Sequence, residues 1–273
     1  MLKLRVLTAL VLLPVMLAAL FAFDSLQWAA FTALITVLGL WEWSRLVKLS
    51  RLQQITYLVL SCAGLGAWAT FSATVAYSLP LVVHGMVLVF WFVVAPLWLK
   101  QRWSLLQQPL LAMGLGWLLL LPAWSALQTW RPSPTAASLL LALMALVWLA
   151  DTAAYFSGKT FGRRKLAPAI SPGKSWEGVY GALVAVAIYA AILAQTKLLQ
   201  PWALPVWMWV VVAWALTAVS IVGDLLESWF KRQAGMKDSS QLLPGHGGVL
   251  DRIDSLIAVL AVAAALQAYL SAF

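Results

Sequence analysis

Charge is scarce in this chain. Of its 273 residues only 10% are charged, against ~25% in soluble globular domains, while 63% are hydrophobic and the mean hydropathy is +0.91. A folded domain of this length still exposes much of its area, so that much apolar surface has no soluble hiding place. Soluble enzymes, disordered proteins and collagens are excluded, and the chain reads as an integral membrane protein. Cysteine is almost missing. The lone Cys62 lies in an apolar run, which rules out an intrachain disulfide and a secreted disulfide scaffold; it reads as a small packing residue. Short alternating strands of ~10 residues are also absent, and with them a transmembrane β-barrel. No internal repeat, low-complexity tract or long linker divides the chain. What is plentiful is tryptophan, at 17 residues.

Runs of ~20 apolar residues mark membrane-spanning helices, and nine candidates follow: Val6–Phe23, Leu26–Trp43, Ile55–Phe71, Leu81–Leu99, Pro109–Leu127, Ala136–Tyr155, Gly178–Gln195, Pro205–Leu226 and Ile253–Phe273. The fold class expected is therefore all-α and polytopic. The third run, with Gly64 and Gly66, is the weakest. Lys3 and Arg5 precede the first run as in a signal peptide, but Phe21, Ala22, Phe23 and Asp24 make a poor cleavage site, so a retained span is expected. Numbering the gaps alternately puts 16 of the basic residues on one side and only Arg131 and Lys197 on the other. By the positive-inside rule the first side is cytoplasmic, with the N-terminus inside and the C-terminus outside. The formal charge of +9 therefore suits topology better than nucleic acid, and no nucleic-acid partner is expected. Residues 1–135 form a five-span scaffold. Residues 136–273 are expected to carry any chemistry, with long cytoplasmic loops at 156–177 and 227–252.

Seven of the nine acids, Asp151, Glu177, Asp224, Glu227, Asp238, Asp251 and Asp254, lie in or beside those loops. Asp224 with Glu227 and Ser228, and Asp251 with Asp254, have the spacing of one helical face. A carboxylate near the hydrocarbon boundary is costly and is a functional candidate by default. The turns Ser171-Pro172-Gly173-Lys174-Ser175 and Pro244-Gly245-His246-Gly247-Gly248 expose backbone and are flanked by cations, which suits phosphate. Carboxylates and hydroxyls beside phosphates suit Mg²⁺. A single loop histidine without clustered cysteine argues against zinc, and no Walker A pattern is present. Taken singly, each acid also reads as a helix-start residue or the structural partner of a nearby cation. Glu42, between Trp41 and Trp43, reads as an interfacial anchor, and His84 as structural. A transporter would spread its charges through the membrane depth; here they collect at one face.

The stretch Ser228-Trp229-Phe230-Lys231-Arg232, then Lys237-Asp238, then Leu243 through Asp254 resembles the signature of phosphatidate cytidylyltransferases. Asp151 through Leu166 and Ser171 through Gly178 are similar to further family stretches, with Ser175 in place of an expected threonine, which keeps the hydroxyl. The five N-terminal spans resemble the family only as generic hydrophobic helices. The resemblance implies condensation of CTP with phosphatidic acid to CDP-diacylglycerol and pyrophosphate, in a bacterial inner or plasma membrane, with the site facing the cytoplasm. It implies Asp224 and Asp251 as metal ligands, Asp254 as a further ligand or anchor, and Mg²⁺ with a second cation such as K⁺. Lys231, Arg232 and His246 join these as catalytic candidates, His246 reading equally as a loop brace. Asp151, Ser171, Lys174, Ser175, Ser228, Lys237, Gly247, Gly248 and Arg252 are the candidates for binding substrate. The oligomeric state is open, with a homodimer among the expectations. A different lipid-linked nucleotide transferase or a lipid kinase is the nearest rival, but the aspartate-rich motif of CDP-alcohol phosphatidyltransferases is not found.

Overall fold

The computed structural model describes residues 2–72, 80–106, 108–130, 134–199 and 204–272. Among them the chain forms nine helical rods: α1 (Leu2–Ala22), α2 (Ser25–Leu46), α3 (Arg51–Ser72), α4 (Leu81–Gln101), α5 (Pro109–Thr129), α6 (Pro134–Phe161), α7 (Trp176–Leu193), α8 (Val206–Ala234) and α9 (Leu250–Ala272). Six of them, α4 to α9, are long and apolar enough to cross a membrane. In α1 the stretch Leu10–Ala22 is apolar, and α2 and α3 interrupt their apolar runs with Thr32, Thr36, Glu42, Gln53 and Gln54. The chain is thus a mostly helical membrane protein with six clear spans. Arg131 and Phe273 lie outside the described residues, as do the side chains of Lys3 and Arg5.

Local chemistry sets several helix ends. Asp24 starts α2 with a capping box: its Oδ1 accepts from Gln27 N at 2.8 Å, and Gln27 Oε1 accepts from Asp24 N at 3.0 Å. In α4 a π-helical turn, Phe90–Val94, stands just before Pro96. Proline lacks an N–H and crowds the preceding turn, and the wider π geometry relieves both. Gly235 ends α8 in the left-handed region, at φ +74°.

Both long loops are shorter than expected. Helix α6 continues through Phe161, and α8 continues through Ala234, because nothing in Phe156–Phe161 or Glu227–Ala234 breaks a helix. Lys231 and Arg232 in the last turn of α8 favour its negative dipole end. Between α6 and α7 stands a feature that an all-α expectation leaves out, an antiparallel hairpin of β1 (Lys165–Ala167) and β2 (Ser171–Ser175). Ser175 then caps α7, its Oγ accepting from Gly178 N at 3.2 Å.

Packing converges on α9, which touches α2, α4, α5, α6 and α8. Aromatic edges fill the join: Phe230 meets Trp43 at 4.8 Å and Trp98 at 5.9 Å between ring centroids. Trp43 Nε1 donates to Ala112 O at 2.8 Å. The largest interface, α6 on α7, relies on small residues that let backbones approach. A Cβ added at Gly178 would stand 2.8 Å from Ala154 O. Gly178→Ala is therefore expected to destabilise the protein by about 1–3 kcal/mol, since backbone must move to admit it. Gly64→Ala, where a Cβ meets nothing within 4 Å, is the control and is expected to be neutral or slightly stabilising. Thermal unfolding of both variants in detergent checks the pair.

Candidate functional site

The C-terminal halves of α6 and α8, the N-terminal turn of α9 and the hairpin meet at one end of the bundle. Close approach of α8 and α9 comes from Gly223, whose added Cβ would lie 2.8 Å from Asp254 O. The next residue, Asp224, is thereby set against the first turn of α9. From the hairpin, Lys174 Nζ reaches Asp224 Oδ2 at 2.6 Å, and Ser228 Oγ donates to Asp224 Oδ1 at 3.3 Å. Arg232 Nε donates to Ile170 O at 3.2 Å, pinning the hairpin to α8. Asp151 lies within charge range of Lys174, Asp224 and Arg252. Asp254 lies within range of Asp224, Lys174 and Lys231.

A second cation stands deeper. Lys231 Nζ contacts Glu227 and lies 2.6 Å from Asp251 Oδ1. Glu227 is buried, and its Oε1 finds no hydrogen-bond partner among the described residues. Together with Asp254 it lines a cavity of about 20 Å³ walled by Trp43, Leu120 and Phe230, room for a single water. Asp251 Oδ2 accepts from Ser239 N at 2.8 Å and Gly248 N at 2.8 Å, with Ser239 Oγ at 2.9 Å. Gly247 takes φ +84°, and a Cβ there would stand 2.7 Å from Asp251 Oδ2; the glycine keeps that oxygen accessible to its donors.

The structure thus brings together Asp151, Lys174, Asp224, Ser228, Lys231, Asp251, Asp254 and Arg252. Other sequence candidates have different surroundings. Ser175 is engaged as the cap of α7, and Ser171 pairs with Ala167 in the hairpin. The N–H of Gly248 is given to Asp251 rather than left free. Lys237 is exposed. His246 N donates to Leu243 O at 2.8 Å within a tight turn, while its Nδ1 is buried without a partner among the described residues. Outside the membrane-spanning segments, Glu177 hydrogen-bonds Arg164 and raises the pKa of its guanidinium, which stays charged.

Among the described residues no three His, Cys, Asp or Glu side chains form a ready-made metal cage. The donor chemistry nevertheless fits a hard cation. Asp224 and Asp254 offer oxygens on touching helix turns, and the ammonium groups of Lys174 on Asp224 and of Lys231 on Asp251 mark where carboxylates of the cluster take positive charge.

Sequence reasoning missed Glu42. It is no interfacial anchor, because the side chain is 0% exposed. From α2 it crosses to the 235–249 loop, accepting from Ser240 Oγ at 2.5 Å, Val249 N at 2.9 Å and Leu250 N at 2.6 Å. Ser239 Oγ lies 3.1 Å from Glu42 Oε2 and, as noted, beside Asp251. A signal was available: Glu42 is a carboxylate within an apolar run, the same criterion that singled out Asp151.

Comparison with known proteins gives the family. A sequence profile described as the cytidylyltransferase family matches residues 3–270. A protein of Pseudomonas aeruginosa named phosphatidate cytidylyltransferase is 45% identical, covering 97% of both chains. One of Haemophilus influenzae with the same name is 38% identical over 94% of this chain and 96% of its own. A namesake from Brucella suis is 49% identical over 122 residues, 44% of this chain and 43% of its own. With the match running through all nine rods and the carboxylate cluster alike, the chain belongs to the cytidylyltransferase family.

Proposed function

We propose that the carboxylate–lysine cluster where α6, α8, α9 and the hairpin meet is the place of cytidylyl transfer. Family membership and near full-length relatives give the reaction: CTP and phosphatidic acid yield CDP-diacylglycerol and pyrophosphate, for phospholipid synthesis in a membrane. An oxygen of the phosphatidate phosphate attacks the α-phosphorus of CTP. The new P–O bond forms as the bond to the β-phosphate oxygen breaks, and pyrophosphate leaves. Such transfers depend on positioning and charge neutralisation.

The observation that carries the assignment of the site is the 2.6 Å contact of Lys174 with Asp224. It joins β2, with its basic flank, to Asp224 of α8, which lies against the first turn of α9. In this reading Lys174 and Arg252 bind phosphates, Arg232 holds the hairpin over them, and Ser228 orients Asp224. Lys231 serves as counter-ion to Glu227 and Asp251 and turns toward phosphate. Lys237 and His246, on the 235–249 loop, meet the departing pyrophosphate. Asp224, Asp251 and Asp254 would hold Mg²⁺, with a second cation such as K⁺ beside it; for Asp251 the oxygen concerned is Oδ1, since Oδ2 is filled by Ser239 and Gly248. Mg²⁺, when bound, supplies charge neutralisation of the triphosphate and the leaving pyrophosphate.

Asp224→Asn keeps size and hydrogen bonding but removes the charge. A fall of ~100-fold or more in cytidylyl transfer is expected, steepest at limiting Mg²⁺. The lost ion pair with Lys174 is partly exposed and is worth only about 0–1 kcal/mol, so the variant should fold. Lys197→Ala, in the connection between α7 and α8 and so at the other end of those helices from the cluster, is the control. Near-normal turnover of Asp224→Asn would remove that residue from the site.

The same reading places all nine rods across the membrane, N-terminus inside and C-terminus outside, with the site facing the cytoplasm. Its support is the split of basic residues, 16 to 2. The contacts agree with alternate crossing: Thr8 near the start of α1 donates to Pro244 O at 2.9 Å, and Trp229 near the end of α8 donates to Trp103 O, after α4, at 2.8 Å. A reporter fused after Phe273 should read as external in intact cells. A cytoplasmic signal would show that one of α1 to α3 does not cross.

A further inference from the structure

Burying a carboxylate without a cation is costly unless donors surround it. Glu42 is such a case. Among the described residues no lysine or arginine forms an ion pair with it, and its oxygens are met by the Ser240 hydroxyl and two backbone N–H groups. Those N–H groups belong to Leu250, the first residue of α9, and to Val249 just before it, at the helix end that leaves donors unsatisfied and whose dipole favours negative charge. Helix α9 is therefore capped by an acid more than 200 residues earlier in the chain, on a different helix.

Capping from that distance fixes more than the helix start. Ser239 has one hydroxyl proton and stands between two carboxylates, 3.1 Å from Glu42 Oε2 and 2.9 Å from Asp251 Oδ2. Its N–H also goes to Asp251. Gly248, whose N–H holds the same Asp251 oxygen, has no room for a side chain: an added Cβ would meet the Ser239 hydroxyl and the Glu42 carboxylate. Every group that holds Asp251 Oδ2 thus rests on Glu42 or touches a residue that does.

We infer that Glu42 is a positioning residue of the transfer site: from α2 it holds the 239–249 loop and the start of α9 so that Asp251 presents Oδ1 toward Lys231 and the cluster. The inference rests on the catalytic reading of Asp251 given above. Helix α2 is by this account part of the active machinery, and not only scaffold.

The test uses the full-length protein in detergent micelles or bilayers. Glu42→Gln keeps the shape but turns one acceptor into an N–H₂ that faces donors. Loss of such supporting partners around a metal ligand typically costs about 10–100-fold in activity or metal affinity. The variant should lose turnover by about that factor and need more Mg²⁺ for half-activation. Amides 239–251 should exchange hydrogen faster while the rest of the bundle keeps its protection. A role confined to overall stability predicts something else, a rate that falls only with the folded fraction at an unchanged Mg²⁺ midpoint, and that result would overturn the inference. Should Glu42→Gln fail to fold, Ser240→Ala removes one donor alone. It is expected to shift the midpoint the same way by a smaller factor, and a wild-type midpoint and exchange pattern there would also overturn it. Asp251→Asn, measured in parallel, separates the two readings. If that variant is impaired and Glu42→Gln is normal, only the positioning role fails; if Asp251→Asn is normal, the catalytic reading falls and takes the inference with it.

Discussion

Every buried carboxylate in a membrane bundle must find donors or a cation, and the first turn of α9 is where this constraint organises the protein. The turn offers unsatisfied N–H groups, and two acids converge on it from opposite directions. Glu42 comes from α2 and takes the N–H groups of Val249 and Leu250. Asp251 reaches back from within the turn to Gly248 and Ser239. The same helix supplies Asp254, and it packs against five other rods. Moving the start of α9 would displace a core helix and two acids of the cluster together.

Small residues make that arrangement possible. Gly223 lets α8 lie against the backbone of Asp254, and Gly178 lets α7 lie against Ala154. Without side chains at these points the backbones approach closely, in an environment where packing and not water exclusion drives helix association. The hairpin then has only a short distance to cross, and one contact, Lys174 on Asp224, carries its charge to α8.

The last two helices and the acids on them were legible in the sequence because carboxylates near the ends of apolar runs stand out against so little charge. Asp224, Asp251 and Asp254 do meet at one end of the bundle. The loop limits were less legible: an apolar run ends where hydropathy falls, but α6 and α8 continue through polar turns such as Lys231-Arg232, which a helix tolerates at an aqueous boundary. The hairpin escaped notice because three- and five-residue strands leave almost no alternating pattern. Glu42 was misread for a different reason. Flanking tryptophans suggest an interface, yet Trp43 is itself buried, with its indole N–H on Ala112 O and its ring edge on Phe230. A flanking tryptophan marks the interface only when it faces lipid, and facing is a tertiary property.

The charge at the cluster also accounts for its mixture of acids and bases. Asp151, Asp224, Glu227, Asp251 and Asp254 stand against Lys174, Lys231 and Arg252, so with all groups ionised the site carries two excess negative charges. Both substrates are anionic, and two phosphates cannot be brought within bonding distance in such a place on lysines alone. In the proposed reading, basic residues on the hairpin and the loop would raise the local concentration of anions at the mouth of the site. In the same reading the acids beside them would attract hard cations, which would neutralise what the lysines have gathered. Remove the acids and the site would bind phosphates but could not let them approach each other; remove the bases and it would repel both substrates. A cluster that interleaves acids and bases would meet both demands, and the meeting of α8 and α9 is where this chain builds one.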